Sequence, residues 1–311
     1  MPISRRRFIQ SSTLALAATA LDWRALLAQG ASLPQPGTLV LVRGSVGTFT
    51  GRGGTIGWHM DGQGAVVVDS QFPDSAKTCL DAVNARTGGR TLDFLVNTHH
   101  HGDHTGGNSI FRPAARKILA HVNVPRLQRA AAERAAQSPQ PGMASPAPAQ
   151  TYADTLFETA WREPVGGETM ALAHFGPAHT GGDATVTFEK ANVVHMGDLM
   201  FNRRHPVIDR PGGASIANWI VTLEKVTRAH DADTIYIFGH AGTNFPITGP
   251  AADLLYHRDY LTALLDFVRG EIKVGKPKEV IVKITEPLKG FPDHGPLTER
   301  PLTAAYDELT A

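Results

Sequence analysis

Short runs of apolar, β-branched residues recur along the chain, each closed by a Gly-rich or polar turn, and longer stretches with helical spacing lie between them. Alternating or continuous apolar runs predict strands over Thr38–Val42, Ala65–Asp69, Thr91–Asn97, Lys117–His121, Met170–Phe175, Ala184–Phe188, Val193–Gly197 and Thr234–Phe238. Apolar positions three and four apart predict helices over Ser75–Ala85, Val124–Ala136, Ile216–Ala229 and Ala252–Phe267. Shorter helices are expected at Pro277–Lys283 and Leu302–Leu309. Strands and helices alternate from end to end, which implies a layered α/β domain and argues against an all-helical or all-β fold. Residues 137–150 (QSPQPGMASPAPAQ) are rich in Pro, Ala and Ser and read as a surface loop. No internal repeat is visible.

The 311 residues, 42% apolar and 19% charged, suffice for a substantial core. Formal net charge is +1, and no Lys/Arg block lies outside the N-terminus, so nucleic acid is not an expected partner. Cys79, the single cysteine, cannot close an internal disulfide and reads as a small buried apolar residue on a helix. Residues 1–30 have a different layout. Arg5, Arg6 and Arg7 precede Phe8 and the apolar run Ser11–Ala20, and small residues follow around Ala28–Ala31. This arrangement is similar to a twin-arginine export signal, which implies a periplasmic or secreted protein delivered already folded. The apolar run is short and is followed by Asp22 and Arg24, which argues against a spanning helix and against membrane insertion after cleavage. Residues 31–311 are expected to form a single domain, with a core over about 38–245 and helices over 250–311.

The chemistry concentrates after the third predicted strand, in Asn97-Thr98-His99-His100-His101-Gly102-Asp103-His104. In extended backbone, residues two apart share a face, so His99 and His101 point together while His100 points away. Gly102 then permits a tight turn that returns Asp103 and His104 towards the same point. Three imidazoles and a carboxylate at the end of a buried strand suit Zn²⁺, with iron or manganese as alternatives. The competing reading, a His-rich surface loop, does not explain why the cluster follows a buried strand.

This H-x-H-x-D-H string resembles that of the metallo-β-lactamase superfamily, and four further segments match that family in order. They are Val66-Val67-Val68-Asp69-Ser70, Gly176-Pro177-Ala178-His179-Thr180-Gly181-Gly182-Asp183, His195-Met196-Gly197-Asp198-Leu199-Met200-Phe201, and Phe238-Gly239-His240-Ala241-Gly242. The resemblance implies a four-layer αββα sandwich with a C-terminal helical extension. It also implies a two-metal site, in which His99, His101 and His179 hold one Zn²⁺. Asp103, His104 and His240 hold the other, Asp198 bridges both, and Asp69 supports the metal loop from behind. Asp103 and Asp198 would be the catalytic carboxylates, acting on a shared metal-bound hydroxide.

Of the remaining histidines, His195 reads as a core residue or a support to the site. His174 is a marginal candidate for contact with it, and His59, His121, His230, His257 and His294 read as structural or solvated. Metallo-β-lactamases proper carry Cys or Ser where this chain has Asp198, and the Gly197-Asp198-Leu199-Met200-Phe201 string is similar to the glyoxalase II type. Phe201 stands where many β-lactamases have a substrate-gripping Lys. Arg203 and Arg204 either bind an anionic substrate group or form a solvated charge pair. The expectation is therefore an exported binuclear hydrolase acting on a small carboxylic-acid derivative: a lactone, ester, thioester or β-lactam. The alternatives are a true β-lactamase, an iron-dependent redox enzyme, and a small phosphodiesterase.

Overall fold

In the computed structural model, which describes residues 36–137 and 150–311, successive side chains of Ala65–Val68 (β4) point to opposite sides of a sheet. Val66 and Val68 enter one apolar cluster, and Ala65 and Val67 enter another. That sheet runs β1 (Leu39–Arg43), β2 (Val46–Phe49), β3 (Ile56–Met60), β4, β5 (Leu92–Asn97), β6 (Ala115–His121), β7 (Thr155–Phe157). Pairing is antiparallel as far as β4 and parallel from β4 to β7. Helix α1 (Pro73–Thr87) buries Ala76, Cys79 and Val83 against the outer face, beside Trp58, Val67 and Leu95. Cys79 is the small buried apolar residue expected.

The inner face meets a second sheet, which contains β8 (Ala160–Val165), β9 (Glu168–Ala173), β10 (Thr185–Phe188), β11 (Val193–His195), β13 (Ile235–Ile237) and β15 (Thr248–Gly249). Val68, Val96 and Leu119 from the first sheet pack against Leu172, Val186, Phe188 and Ile237 from the second. The far side of the second sheet is covered by α5 (Ile216–Ala229), α6 (Ala251–Lys273) and α8 (Glu299–Leu309), where Trp219, Leu223, Leu261 and Leu302 close a third cluster with Met196, Tyr236 and Phe238. Three apolar clusters between four layers make the αββα sandwich, and the last helices form the C-terminal extension. The described residues, 36–137 and 150–311, fall within one compact unit.

The predicted strands and main helices are present. The hairpin β2–β3 and the edge strand β8 are not legible in the sequence. Gly-rich turns interrupt the first, and β8 carries Arg162, Glu163 and Pro164, residues suited to an exposed edge. Helix α6 continues past Phe267 through Gly270 to Lys273 and stops before Gly275, which has φ +81°. The helix expected at Pro277–Lys283 is a single turn, α7 (Lys278–Ile281). Helix α4 (Asn123–Gln137) matches the one expected at Val124–Ala136. The export signal expected at residues 1–30 and most of the loop expected at 137–150 lie outside the described residues. Among the described residues, no helix is long and apolar enough to cross a membrane.

Candidate metal centre

The site lies at one edge of the sandwich, beyond the ends of β4, β5, β11 and β13, where α/β sheets place their ligands. Beyond β5 the chain turns into the one-turn helix α2 (Gly102–Thr105), carrying Asp103 and His104, with His101 immediately before it. The connection from β9 to β10 supplies His179, a short 3₁₀ turn after β11 supplies Asp198, and β14 (His240–Ala241) supplies His240.

These residues form two groups of potential metal-ligating atoms, each within 4.8 Å: His99, His101, His179 and Asp198, and Asp103, His104 and His240. Asp198 reaches towards both. Its Oδ2 is 3.9 Å from His99 Nε2, 3.5 Å from His179 Nε2 and 3.3 Å from His240 Nε2, and its Oδ1 is 3.0 Å from His104 Nε2. Asp103 lies 3.2 Å from His240 Nε2 and 3.7 Å from His104 Nε2.

The outward-facing ring nitrogens have partners that fix which nitrogen faces in. Asp69 sits in left-handed backbone at φ +67°, a strained conformation for a non-glycine residue, and its carboxylate lies behind the cluster. It accepts from the backbone N–H and hydroxyl of Thr98, both at 2.8 Å, and from His104 Nδ1 at 2.7 Å. With its proton given to Asp69, the Thr98 hydroxyl is left to accept from His99 Nδ1 at 3.1 Å. His179 Nδ1 donates to the Val207 carbonyl at 2.7 Å. His101 is reversed, with Nε2 donating to Asp209 at 3.0 Å while Nδ1 faces His179 Nε2 at 3.0 Å. Each contact turns the other ring nitrogen inward, the arrangement that orients metal-binding imidazoles.

Glycines bring the backbone close. A Cβ on Gly54 would lie 2.1 Å from His104 Cε1, and one on Gly239 would lie 2.2 Å from Asp198 Oδ1.

Charge is concentrated here too. Burial would raise the Asp198 carboxyl, but His240 and His104 hold it well below the usual range. Burial likewise works against ionised Asp103, yet the His240 hydrogen bond and His104 bring it to about 2. The same carboxylates overcome burial at His240, lifting it to about 9, and Asp198 and Asp69 raise His104 well above its ordinary value. His179 moves the other way, down to about 3, because burial dominates. Buried carboxylates thus demand positive charge at this point, from protons or from cations. His99 Nε2 is buried and, among the described residues, has no hydrogen-bond partner. Inward-facing ring nitrogens, an orphaned buried nitrogen and a nitrogen–oxygen donor set fit divalent metal ions.

A sequence profile described as "Metallo-beta-lactamase superfamily" matches residues 56–240. The chain belongs to that superfamily. Among curated proteins, it is 30% identical over 162 residues to the alpha subunit of 2,4-dinitroanisole O-demethylase from Nocardioides sp., covering 51% of this chain and 45% of that one. It is 31% identical over 143 residues to hydroxyacylglutathione hydrolase from Synechococcus sp., covering 44% and 45%. The chain therefore spans less than half the length of the curated relatives it matches. Among solved structures, the inverting sec-alkylsulfatase Pisa1 from Pseudomonas sp. superimposes with a TM-score of 0.63 at 16% identity, over 87% of this chain and 50% of that one. The DIM-1 metallo-beta-lactamase gives 0.56 at 17% identity, over 74% and 99%. At these identities the superfamily likeness of the solved structures is one of fold.

The structure brings all seven sequence-predicted ligand candidates together. His195 supports from behind, buried, with Nε2 3.0 Å from the Thr55 carbonyl. His174 stays outside the cluster, stacked on His121 with ring centroids 3.9 Å apart. His100 lies outside the two ligand groups, as its spacing predicts, and is buried with Nε2 3.3 Å from Asp209. One expectation needs correcting. Arg203 and Arg204 do not act as a pair: Arg203 bonds Asp253 and lies 4.2 Å over the Tyr256 ring, whereas Arg204 is exposed. Asp209 was missed altogether. It lies in no motif, and only folding brings it beside His100 and His101.

Proposed function

We propose that this protein is an exported, two-metal hydrolase of small carboxylic-acid derivatives, with zinc as the first candidate metal. The observation that carries the reading is the meeting of two donor groups at one carboxylate, Asp198. His99, His101 and His179 would hold one ion, Asp103, His104 and His240 the other, and Asp198 would touch both. When bound, such ions supply Lewis acidity for a carbonyl and lower the pKa of water. The chain's own work is to fix the ring orientations through Asp69, Thr98, Asp209 and the Val207 carbonyl, so that one nitrogen of each of His99, His101, His104 and His179 already faces inward. Asp103, whose side chain is 28% exposed, keeps a carboxylate at the mouth of the site, where it can hold or pass a proton.

Asp198, rather than Cys or Ser, supports an acyl-ester or thioester substrate, and the hydroxyacylglutathione hydrolase relative supports the same choice. The Arg5-Arg6-Arg7-Phe8 start and the apolar run after it support export, which N-terminal sequencing of the protein from separated cell fractions tests.

The functional test is a panel of lactone, ester, thioester, β-lactam and phosphodiester substrates, with oxygen uptake monitored, on full-length protein of measured metal content. Turnover of a carboxylic-acid derivative, lost on chelation and restored by zinc, is expected. Full turnover by thoroughly chelated protein sinks the reading. Preference for the β-lactam or the phosphodiester, or oxygen consumption, would hand the site to one of the alternatives.

A further inference from the structure

Helix α8 reaches towards the metal centre from behind through one side chain, Glu308. It lies in the last turn of that helix, where a negative charge opposes the helix's own dipole, so local structure does not account for it. Its carboxylate faces the start of α5 instead. Oε2 accepts from the Ile216 N–H at 2.7 Å and Oε1 from the Ala217 N–H at 2.9 Å. These are donors for which a helix has no partner of its own, at the end where its dipole attracts an anion. Oε2 also accepts from Arg210 Nη1 at 3.1 Å, and the Glu308 side chain is only 13% exposed, which shields the charge-assisted bonds from water.

What Glu308 grips is the segment that carries Asp209. Arg210 follows Asp209 directly and opens a 3₁₀ turn, Arg210–Gly212. Its Nη1 donates to the Ala214 carbonyl at 2.5 Å as well, and the Ala214 N–H donates to the Asp209 carbonyl at 3.0 Å. Asp209 thus heads a closed turn, with one carboxylate oxygen on the Gly212 N–H and the other on His101 Nε2. Residues 203–209, which lead into the turn, form neither helix nor strand. The β9–β10 connection holds the turn on one side, where the Gly181 N–H donates to the Gly212 carbonyl at 2.8 Å, and Glu308 holds it on the other.

We propose that Glu308 is a positioning residue for the metal centre, fixing Asp209 where it turns His101 Nδ1 inward. The proposal rests on the two-metal reading above. It gives the C-terminal extension a part in metal retention, although none of the seven candidate ligands lies there.

The test is a zinc titration of the metal-free full chain by chelator competition, for wild type, Glu308→Ala, Glu308→Gln, Asp209→Asn and the double variant Asp209→Asn/Glu308→Ala. The binding step that Asp209→Asn weakens identifies the group containing His101. Losing a direct partner of a ligating histidine costs about 10–100-fold, and Glu308 acts one residue further out, so Glu308→Ala is expected to weaken that same step about fivefold and the other step less than about twofold. Glu308→Gln, which keeps an acceptor oxygen, should be intermediate. In the Asp209→Asn background, Glu308→Ala should have almost no further effect, because its route to His101 is already cut. A residue that merely stabilises the fold would weaken both steps alike, or add its full loss to that of Asp209→Asn. Either result overturns the proposal, as does unchanged affinity in Glu308→Ala or in Asp209→Asn. If the wild type binds no zinc, the two-metal reading fails, and Glu308 is judged on the metal-free protein by the ring-nitrogen NMR shifts of His101. Glu308→Ala must move them, and unmoved shifts overturn the proposal. Should Glu308→Ala lose its cooperative thermal transition, Glu308→Gln carries the same comparisons.

Discussion

Asp209 lies 3.0 Å from His101 Nε2 and 3.3 Å from His100 Nε2, joining parts of the chain 108 residues apart. Its other oxygen accepts from the Gly212 N–H at 2.9 Å, so the carboxylate is held in place independently of the histidines. One consequence is a fixed tautomer for His101, with Nδ1 turned inward.

Asp209→Asn keeps the size and the Gly212 bond but removes the charge that orients His101. Zinc affinity, measured by competition with a chromophoric chelator, should fall by about 10–100-fold, the usual cost of losing such a partner. Unchanged affinity would remove Asp209 from any role at the site.

Metal binding should be strongly pH-dependent. His240 is lifted to about 9 and His104 is raised as well, and a ring nitrogen must lose its proton before it ligates. Below pH 9, protons therefore compete with the metal, so affinity rises with pH. For one competing proton the slope is about tenfold per pH unit between pH 7 and 9. Calorimetry in buffers of different ionisation enthalpy should detect proton release on zinc binding, and a flat affinity profile would contradict this.

Gly54 admits no side chain beside His104. Gly54→Ala should displace that imidazole, lowering any metal-dependent turnover on the order of a hundredfold, with the fold retained. Metal analysis should show loss of zinc from the group containing His104 first.

His257 gives a prediction unconnected with catalysis. It is fully buried, neither ring nitrogen has a hydrogen-bond partner among the described residues, and burial, with His294 and His179 nearby, holds it down to about 3. Because its folded value lies below the unfolded 6.5, its contribution to stability is present above about pH 6.5. It is lost as pH falls towards 3. Between pH 7 and 4 this amounts to about 3 kcal/mol. In metal-free protein, His257→Leu should flatten the acid limb of denaturant-derived stability by a comparable amount. Identical acid limbs would refute the assignment.

The candidate ligands were legible because each sits in a short contiguous motif next to a buried strand, so local spacing carried the information. The layered fold was legible for the same reason, since β4, β5 and α5 have strong periodicity. Asp209, the burial of His100 and the capture of Arg203 by Asp253 were not legible. Each depends on contacts between segments far apart in the chain, and on side chains that look like ordinary loop charges. Strand β8 escaped notice because an exposed edge tolerates the polar residues and proline that usually signal a turn.

The two-residue ribbon of β12 (Phe201–Asn202) and β14 couples the two ends of the site. Phe201 pairs with His240 and Asn202 with Ala241, so the segment running from Asp198 to Arg204 is laced to the one bearing the last imidazole. A slip of one residue would turn His240 to the opposite side. The placement of His240 relative to Asp198 thus leans on this hydrogen-bonded seam, and a substitution that loosens it should weaken metal retention at the group containing His240 first.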